Sequence, residues 1–158
     1  MKTVLIVEDE KMIRQGIKTM IMRSGVPIET IMECNNGETA LEILKEQEID
    51  VMFTDIRMPK MDGIELVQKM QSLEHIPLTV AISGYDDFAY AVEMLRNGVR
   101  EYILKPVDLP NLVELLARTR QELDRRSNLP EPVPVATYRT FLQQLRAAMV
   151  NVGIFFMT

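Results

Sequence analysis

The chain has 158 residues, of which 47% are hydrophobic and 26% charged, and it contains a single cysteine, Cys34. This mixture is typical of a globular protein, excludes disorder of the whole chain, and leaves no internal disulfide and no cysteine-rich zinc site. The net charge of −5 argues against direct nucleic-acid binding, and without a long uncharged apolar run we expect no membrane span and a cytoplasmic location.

Short apolar runs alternate with segments of helical periodicity. Residues 4–7 form a β-branched apolar run, typical of a strand buried on both faces, and helical spacing then continues to about Met22. The same alternation predicts further strands at 31–34, 51–54, 78–82 and 102–104, each followed by a helix. The apolar residues of the five predicted helices are, in chain order, Met12, Ile13, Ile17, Met20, Ile21; Ala40, Leu41, Leu44; Leu66, Val67, Met70; Phe88, Ala89, Val92, Leu95; and Leu112, Leu115, Leu116, Leu123.

Turn and capping residues separate these segments. Residues 35–37, Asn-Asn-Gly, predict a turn, residues 97–98, Asn-Gly, end the fourth helix, and Asp108 is the candidate N-cap of the fifth. Five consecutive strand–helix units predict an α/β fold with helices on both faces of a parallel sheet. We expect a flavodoxin-like, doubly wound (βα)5 sheet of strand order 2-1-3-4-5.

The composition changes after the fifth helix, so the chain is divided into a domain at 1–126, a proline-rich linker at 127–135 and an amphipathic helical tail at 136–158. Pro130, Pro132 and Pro134 favour an extended linker. The tail has an apolar stripe that suits a dimerisation or partner helix, a helix packed on its own domain, or the edge of a further domain.

Polar side chains follow four of the predicted strands: Glu8 and Asp9 the first, Asp55 the third, Ser83 the fourth and Lys105 the fifth. Because ligands of open parallel sheets bind at the carboxyl ends of the strands, we expect these five side chains to meet at one site. Each residue alone has an ordinary interpretation as a turn, capping or surface residue, so the prediction depends on the set.

The charges of this set predict phosphoryl transfer. Three carboxylates within a few ångströms repel one another, and a divalent cation relieves that repulsion. Mg²⁺ is favoured because every available ligand is a hard oxygen. Asp55 is then the candidate nucleophile that forms an aspartyl phosphate, while Lys105 and the Ser83 hydroxyl neutralise the oxygens of the transferred group.

Together these motifs resemble the receiver domain of two-component response regulators. The resemblance covers about residues 1–126 and is carried by Val7-Glu8-Asp9-Glu10, Asp55-Ile56-Arg57-Met58-Pro59-Lys60-Met61-Asp62-Gly63, Ser83-Gly84 and Lys105-Pro106. It implies a switch that accepts a phosphoryl group from a sensor histidine kinase on Asp55 and slowly dephosphorylates itself, rather than a multiple-turnover enzyme.

The resemblance also implies individual roles. The implied Mg²⁺ ligands are Glu8, Asp9, Asp55 and the backbone carbonyl of Arg57. Ser83 and Lys105 would contact the phosphoryl group, the Lys105–Pro106 peptide would be cis, and Tyr102 would be the aromatic switch residue. Phosphorylation would change the face of the fourth helix, fifth strand and fifth helix, through which a homodimer could form.

Residues 83–88 and 104–108 further resemble receivers that precede an AraC-type helix-turn-helix DNA-binding domain, which implies control of transcription. Two departures from the family pattern keep the necessary oxygens: Glu8 stands where aspartate is common, and Ser83 where threonine is commoner.

Three other functions fit parts of the pattern. A degenerate receiver would serve only as a protein-binding module, but its acidic residues and lysine would then have no role. A haloacid-dehalogenase-like phosphatase has a second aspartate two residues after the nucleophile, where this chain has Arg57. His75 could carry a phosphoryl group, but an ordinary surface histidine is the much better explanation of it.

Overall fold

The computed structural model describes residues 1–127 and 142–147, apart from the side chain of Tyr85. In chain order the elements are β1 (Thr3–Val7), α1 (Lys11–Arg23), β2 (Thr30–Cys34), α2 (Gly37–Glu46), β3 (Val51–Asp55), α3 (Gly63–Met70), β4 (Leu78–Ser83), a 3₁₀ turn (Tyr85–Asp87), α4 (Phe88–Arg96), β5 (Glu101–Leu104) and α5 (Leu109–Ser127). All strand pairs are parallel and their order is 2-1-3-4-5, so the predicted flavodoxin-like fold is confirmed.

The sheet is buried on both faces, and successive residues of each strand contribute to opposite faces. On one face, Val4 and Ile6 of β1 pack with residues of α1 and α5. On the other face, Leu5 and Val7 pack with residues of α2, α3 and α4. This placement of helices on both faces explains why the strands are continuous apolar runs rather than alternating ones.

The register of the strands brings their carboxyl ends to one edge of the sheet. Val7 pairs with Thr54, Asp55 with Ile82, and Ser83 with Leu104. The polar residues that end or follow β1, β3, β4 and β5 therefore lie along the same edge, as the sequence predicted.

The residues that cap α2 and α5 correct the predicted start of α2 and confirm that of α5. The predicted turn at 35–37 is partly wrong, because Asn36 caps α2 by accepting the Thr39 N–H at 2.9 Å and Gly37 is the first helical residue. Asp108 caps α5 as predicted and accepts the Asn111 N–H at 2.9 Å. An asparagine side chain satisfies a free N–H at a helix start as readily as it stabilises a turn, so the sequence pattern fits both.

Only residue 127 of the predicted linker and residues 142–147 of the predicted tail are described by the structure. The helix α5 continues through Ser127, one residue beyond the predicted end of the domain. Residues 142–147 are helical. The remainder of the predicted linker and tail lies outside the described residues. Within the described ranges, no helix is at once long enough and apolar enough to span a membrane.

Gly63 lies where α3 turns back against the end of β3, and we expect Gly63→Ala to destabilise the fold by about 2–3 kcal/mol. An added Cβ would collide with the backbone carbonyl oxygen of Asp55 and would lie 3.1 Å from the Cα of Ile56. Backbone atoms of a buried strand end cannot move aside as a flexible side chain can. Urea unfolding of the two proteins measures the difference.

Gly16→Ala is the matched control for this substitution. Gly16 lies within α1, and an added Cβ there meets nothing within 4 Å. The control is expected to stabilise the helix by about 0.5–1 kcal/mol, because alanine loses less backbone entropy than glycine on folding. Equal effects of the two substitutions would show that the contact at Gly63 is not the cause.

Candidate functional site

Asp55 is the last residue of β3 and is 4% exposed. Its Oδ1 accepts the backbone N–H of Ile56 at 2.8 Å, and its Oδ2 lies 3.1 Å from the Lys105 Nζ. The carboxylate is thus fixed by one bond to its own strand end and one to the residue after β5. It is oriented without being fully enclosed by donors, so it retains lone pairs for a further ligand.

Lys105 reaches into the site from the loop after β5. Its backbone N–H donates to the carbonyl oxygen of Ser83 at 2.7 Å, which ties this loop to the end of β4. Its ammonium lies 3.1 Å from Asp55 Oδ2 and 3.4 Å from Glu8 Oε2. One cation is therefore shared by two buried carboxylates. The Lys105–Pro106 peptide is cis.

Glu8 follows β1 and its side chain has no exposed surface. Its Oε1 accepts the Glu10 N–H at 3.3 Å. Its Oε2 is in ion-pair range of Lys105, but among the described residues no donor is aligned to form a hydrogen bond with it. A buried carboxylate oxygen without a hydrogen bond is energetically unfavourable, and a ligand placed beside it would remove that penalty.

The three predicted carboxylates meet as expected. One oxygen each of Glu8, Asp9 and Asp55 can be chosen so that all three lie within 4.8 Å of one another, with Asp9 exposed and the other two buried. The oxygen donor set, the orphaned Glu8 Oε2 and the open side at Asp9 fit a hard divalent cation such as Mg²⁺, which keeps some of its waters. These observations make the cluster a candidate metal site.

Burial and mutual repulsion dominate the electrostatics. Burial, and then the charge of Asp55, raise the pKa of Glu8 from 4.5 to about 8, although Lys105 opposes the shift. Burial also raises the pKa of Asp55, against the opposing effect of Lys105. Burial alone would lower the pKa of Lys105, but the two carboxylates outweigh it and raise that pKa. The site thus holds more negative charge than its one lysine neutralises.

Ser83 ends β4 and is 1% exposed, yet its hydroxyl is not directed at a carboxylate. It donates to the carbonyl oxygen of Gly84 at 3.1 Å. The next backbone N–H, that of Gly84, donates to Oδ2 of Asp87 at 3.0 Å. Ser83 is therefore at the predicted edge of the sheet, but both donors at this position are engaged within their own loop.

One contact, which joins the loop after β3 to the start of α4, has no signal in the sequence. Arg57 Nε lies 2.9 Å from Oδ1 of Asp87, and the guanidinium carbon lies 4.7 Å from the centre of the Tyr90 ring. Arg57 is two residues after Asp55, and Asp87 immediately precedes α4. We call these three side chains the Arg57 clasp. Asp87 and Tyr90 lie about 30 residues beyond Arg57 in the sequence, so only the fold brings Arg57 to them.

Tyr102 lies on β5 and is 51% exposed. It does not contribute to the charged cluster of Glu8, Asp9, Asp55 and Lys105. Cys34 is buried at the end of β2, and its burial raises the thiol pKa to about 11. A thiol with so high a pKa is protonated and unreactive near neutral pH.

Comparisons with known proteins agree with this geometry. The family described as the response regulator receiver domain matches residues 4–117. Transcriptional regulatory protein BtsR of Escherichia coli K12 is 35% identical over 130 residues, covering 81% of this chain and 53% of BtsR. The transcriptional regulatory protein YesN of Bacillus subtilis is 30% identical, covering 80% of this chain and 34% of YesN. The chain thus spans a third to a half of these relatives' lengths.

Solved structures show the same likeness. The receiver (REC) domain of AraT, a response regulator from Geobacillus stearothermophilus, is 36% identical with a TM-score of 0.70, covering 80% of this chain and 98% of that one. A two-component transcriptional regulator AraC from Clostridium phytofermentans is 31% identical with a TM-score of 0.69, covering 80% and 98%. With the sheet order and the family match over residues 4–117, these findings show that the chain belongs to the response regulator receiver domain family.

Proposed function

We propose that the chain is a phosphorylation switch that accepts a phosphoryl group from a sensor histidine kinase on Asp55. The observation that carries this proposal is the position of Asp55, at the centre of a cluster with Glu8 and Asp9 and 3.1 Å from Lys105. The output is control of transcription, as the names of the relatives BtsR and YesN indicate for those proteins. We place this reaction in the cytoplasm.

The chemistry is an in-line displacement at phosphorus. An oxygen of Asp55 forms a bond to phosphorus as the bond to the donor's imidazole nitrogen breaks, and the electron pair of that bond stays on the imidazole. Lys105 lies within reach of the oxygens of the transferred group, and Ser83 would donate a hydrogen bond once it leaves Gly84. Attack of water on the acyl phosphate later returns the Asp55 carboxylate and releases inorganic phosphate.

Glu8, Asp9, Asp55 and the backbone carbonyl of Arg57 would hold Mg²⁺ in this site. When bound, the ion would offset the repulsion among the carboxylates and the incoming phosphoryl group. The chain's own residues then orient the nucleophile: Ile56 and Lys105 fix the two oxygens of Asp55. The buried Glu8 oxygen without a hydrogen bond supports this role, because it lies beside the same cluster.

Intact mass spectrometry of the full chain tests the proposal. With Mg²⁺ and a small phosphoramidate donor, we expect the mass to increase by one phosphoryl group, and an excess of chelator should prevent the increase. A chain that binds Mg²⁺ but never gains mass would contradict the proposed phosphoacceptor function. A chain that neither binds Mg²⁺ nor gains mass would instead fit a receiver that acts only as a protein-binding module.

A groove beside the site suits the phosphohistidine-bearing helix of a kinase. It has a volume of about 450 Å³ and is lined by Met12, Ile13, Gly16, Ile17, Met20, Lys105, Pro106 and Val107. The groove is mostly apolar and reaches Lys105, whose ammonium lies 3.1 Å from Asp55 Oδ2, so a helix seated there would lie close to the phosphoacceptor. We therefore propose it as the surface that receives the kinase.

Met12→Glu is expected to slow phosphoryl transfer from a kinase by about fivefold or more, since Met12 is 86% exposed at the mouth of the groove. The donor is any sensor histidine kinase that phosphorylates the unaltered chain, and radiolabel transfer gives the rate. Met22→Glu is the control, because Met22 is also an exposed methionine of α1 but does not line the groove. Equal slowing with the kinase and with a small donor would refute the docking role.

We propose that phosphorylation changes the face formed by α4, β5 and α5 and that this face forms a homodimer, with Tyr102 turning inward as the switch residue. Phe88, Tyr102 and Leu104 are 77%, 51% and 46% exposed there. Arg118 pairs with Glu101 at 3.1 Å on the same face. Exposed apolar side chains beside charges of both signs suit association with the same face of a second copy related by a twofold axis.

Leu104→Glu is expected to weaken this dimer by about tenfold, because a charge would be buried in the apolar part of the interface. Sedimentation equilibrium of the chain with Mg²⁺ and phosphodonor measures the dimer constant. Met22→Glu is the control, since Met22 is an exposed apolar residue of α1 and not of α4, β5 or α5. If Leu104→Glu dimerises as the unaltered chain does, another part of the chain, such as the tail, must carry the association.

A further inference from the structure

We propose that Asp87 is a positioning residue that holds the Ser83–Gly84 loop in its unphosphorylated arrangement and competes with the phosphoryl group for the Gly84 N–H. This inference rests on the proposed function and concerns how the same site is regulated. Asp87 is neither a metal ligand nor a nucleophile in this assignment. It acts through the backbone donor that it occupies.

Both oxygens of Asp87 are engaged in the structure. Oδ2 accepts the Gly84 N–H at 3.0 Å, and Oδ1 lies 2.9 Å from Arg57 Nε. The side chain is 12% exposed, so these contacts are partly shielded from water. Hydrogen bonds to an ionised carboxylate are about twice as strong as neutral ones, so the Gly84 N–H is firmly held.

The donors held in this loop are those that a phosphoryl group would need. Asp55 pairs with Ile82 across the sheet, so Ser83 and Gly84 extend beyond the phosphoacceptor at the same edge. The Ser83 hydroxyl donates to the Gly84 carbonyl at 3.1 Å, and the Gly84 N–H donates to Asp87. A phosphoryl group on Asp55 offers strong acceptor oxygens, and it can gain these donors only if the two local bonds break.

The Arg57 clasp explains how release would spread. Arg57 follows Asp55 by two residues, and its guanidinium is held between Asp87 and the Tyr90 ring, 4.7 Å from the ring centre. Loss of the Asp87–Gly84 bond removes one of the two contacts that hold Asp87, the residue that directly precedes α4, and leaves its ion pair with Arg57. The start of α4, with the exposed Phe88, is thereby linked to the chemical state of the loop after β3.

Beryllofluoride, which mimics a phosphoryl group on a carboxylate, provides the test on the full chain in saturating Mg²⁺. We expect Asp87→Ala to bind it about five- to tenfold more tightly than the unaltered chain. Asp87→Asn should give a smaller gain, because its amide oxygen can still accept the Gly84 N–H but carries no charge. Asp86→Ala is the control, since Asp86 is the exposed neighbour on the same 3₁₀ turn. The affinity for Mg²⁺ alone, measured by calorimetry, should change by less than about twofold.

The possible outcomes distinguish failure of the Asp87 role from failure of the proposed phosphoacceptor function. If the unaltered chain neither binds beryllofluoride nor gains a phosphoryl group, the proposed function fails and this inference fails with it. If the unaltered chain binds it and Asp87→Ala binds equally or more weakly, only the role of Asp87 is refuted. A purely structural cap would lower the melting temperature of Asp87→Ala without tightening beryllofluoride binding. Asp87→Asn decides the question if Asp87→Ala does not fold.

Discussion

Asp55→Asn is expected to reduce the gain of a phosphoryl group by at least about 10³-fold, the largest functional effect of any single substitution proposed for this chain. The amide oxygen that replaces the carboxylate carries no charge and is a poor nucleophile toward phosphorus. Glu8 and Asp9 cannot substitute fully. Glu8 is 3.4 Å from Lys105 rather than 3.1 Å and lacks the Ile56 N–H that fixes Asp55, while Asp9 is exposed.

The rate is measured by intact mass over time with Mg²⁺ and a small phosphodonor. Asp86→Asn is the control, because it exchanges an exposed carboxylate for an amide outside the cluster. A thermal melt without Mg²⁺ shows that the variant is folded: Asp55→Asn should be no less stable than the unaltered chain, because it removes one of the mutually repelling charges. Full phosphorylation of Asp55→Asn would mean that another residue is the acceptor.

Which side chains meet at the carboxyl edge of the sheet was predictable, because two simple rules decide it. Strand ends of a parallel sheet lie together, and the apolar runs show where each strand stops. Glu8, Asp55 and Lys105 could therefore be assigned to one site from their positions after these runs. The structure places the Lys105 ammonium between the two carboxylates, as that reasoning requires.

The parts that could not be predicted depend on side-chain contacts between loops. Asp87 looks in the sequence like an ordinary acidic residue near a helix start, and nothing marks Arg57 as its partner. The 3₁₀ turn at Tyr85–Asp87 has no periodic signal because it is only three residues long. The backbone conformation of Lys60 was equally unpredictable. Its φ of 68° lies in the left-handed region, which most residues avoid and which a lysine does not indicate.

The resemblance implies that Ser83 contacts the phosphoryl group but does not indicate where its hydroxyl points before phosphorylation. A hydroxyl at the end of β4 is compatible with contact to a phosphoryl group, but here it donates to Gly84. Whether such a hydroxyl points into a site depends on competing acceptors a few residues away, and the energies of those alternatives differ by only about one hydrogen bond. Sequence patterns do not resolve a difference of that size.

Glu8→Gln is expected to change both the pH dependence of stability and the affinity for Mg²⁺. The folded-state pKa of Glu8 is about 8, against an ordinary value of 4.5. Between these values the folded chain retains a proton that the unfolded chain has lost. Without Mg²⁺, the free energy of unfolding must therefore fall as pH rises from about 4.5 to 8. Asp55 shifts in the same direction, so it adds to the fall.

The glutamine removes this contribution, because it has no proton to lose. At pH 8 and without Mg²⁺ we expect Glu8→Gln to be more stable than the unaltered chain by about 1–3 kcal/mol, which is the usual penalty of a buried unsatisfied group. At pH 4.5 the two should be nearly equal. Its Mg²⁺ affinity should fall by about 10- to 100-fold, since a charged oxygen ligand is lost. Urea unfolding across this pH range and calorimetric titration at pH 8 give the two quantities.

Glu10→Gln is the matched control, because Glu10 is an exposed carboxylate two residues away and only its backbone N–H contacts Glu8. It should keep the unaltered pH profile and Mg²⁺ affinity. If Glu8→Gln loses stability between pH 4.5 and 8 as steeply as the unaltered chain, burial of Glu8 is not the cause of the pH dependence. If its Mg²⁺ affinity is unchanged, the buried oxygen is not a ligand. If stability without Mg²⁺ falls as Glu8 loses its proton, this explains why a buried carboxylate oxygen without a hydrogen bond persists: Mg²⁺ binding relieves its destabilising effect.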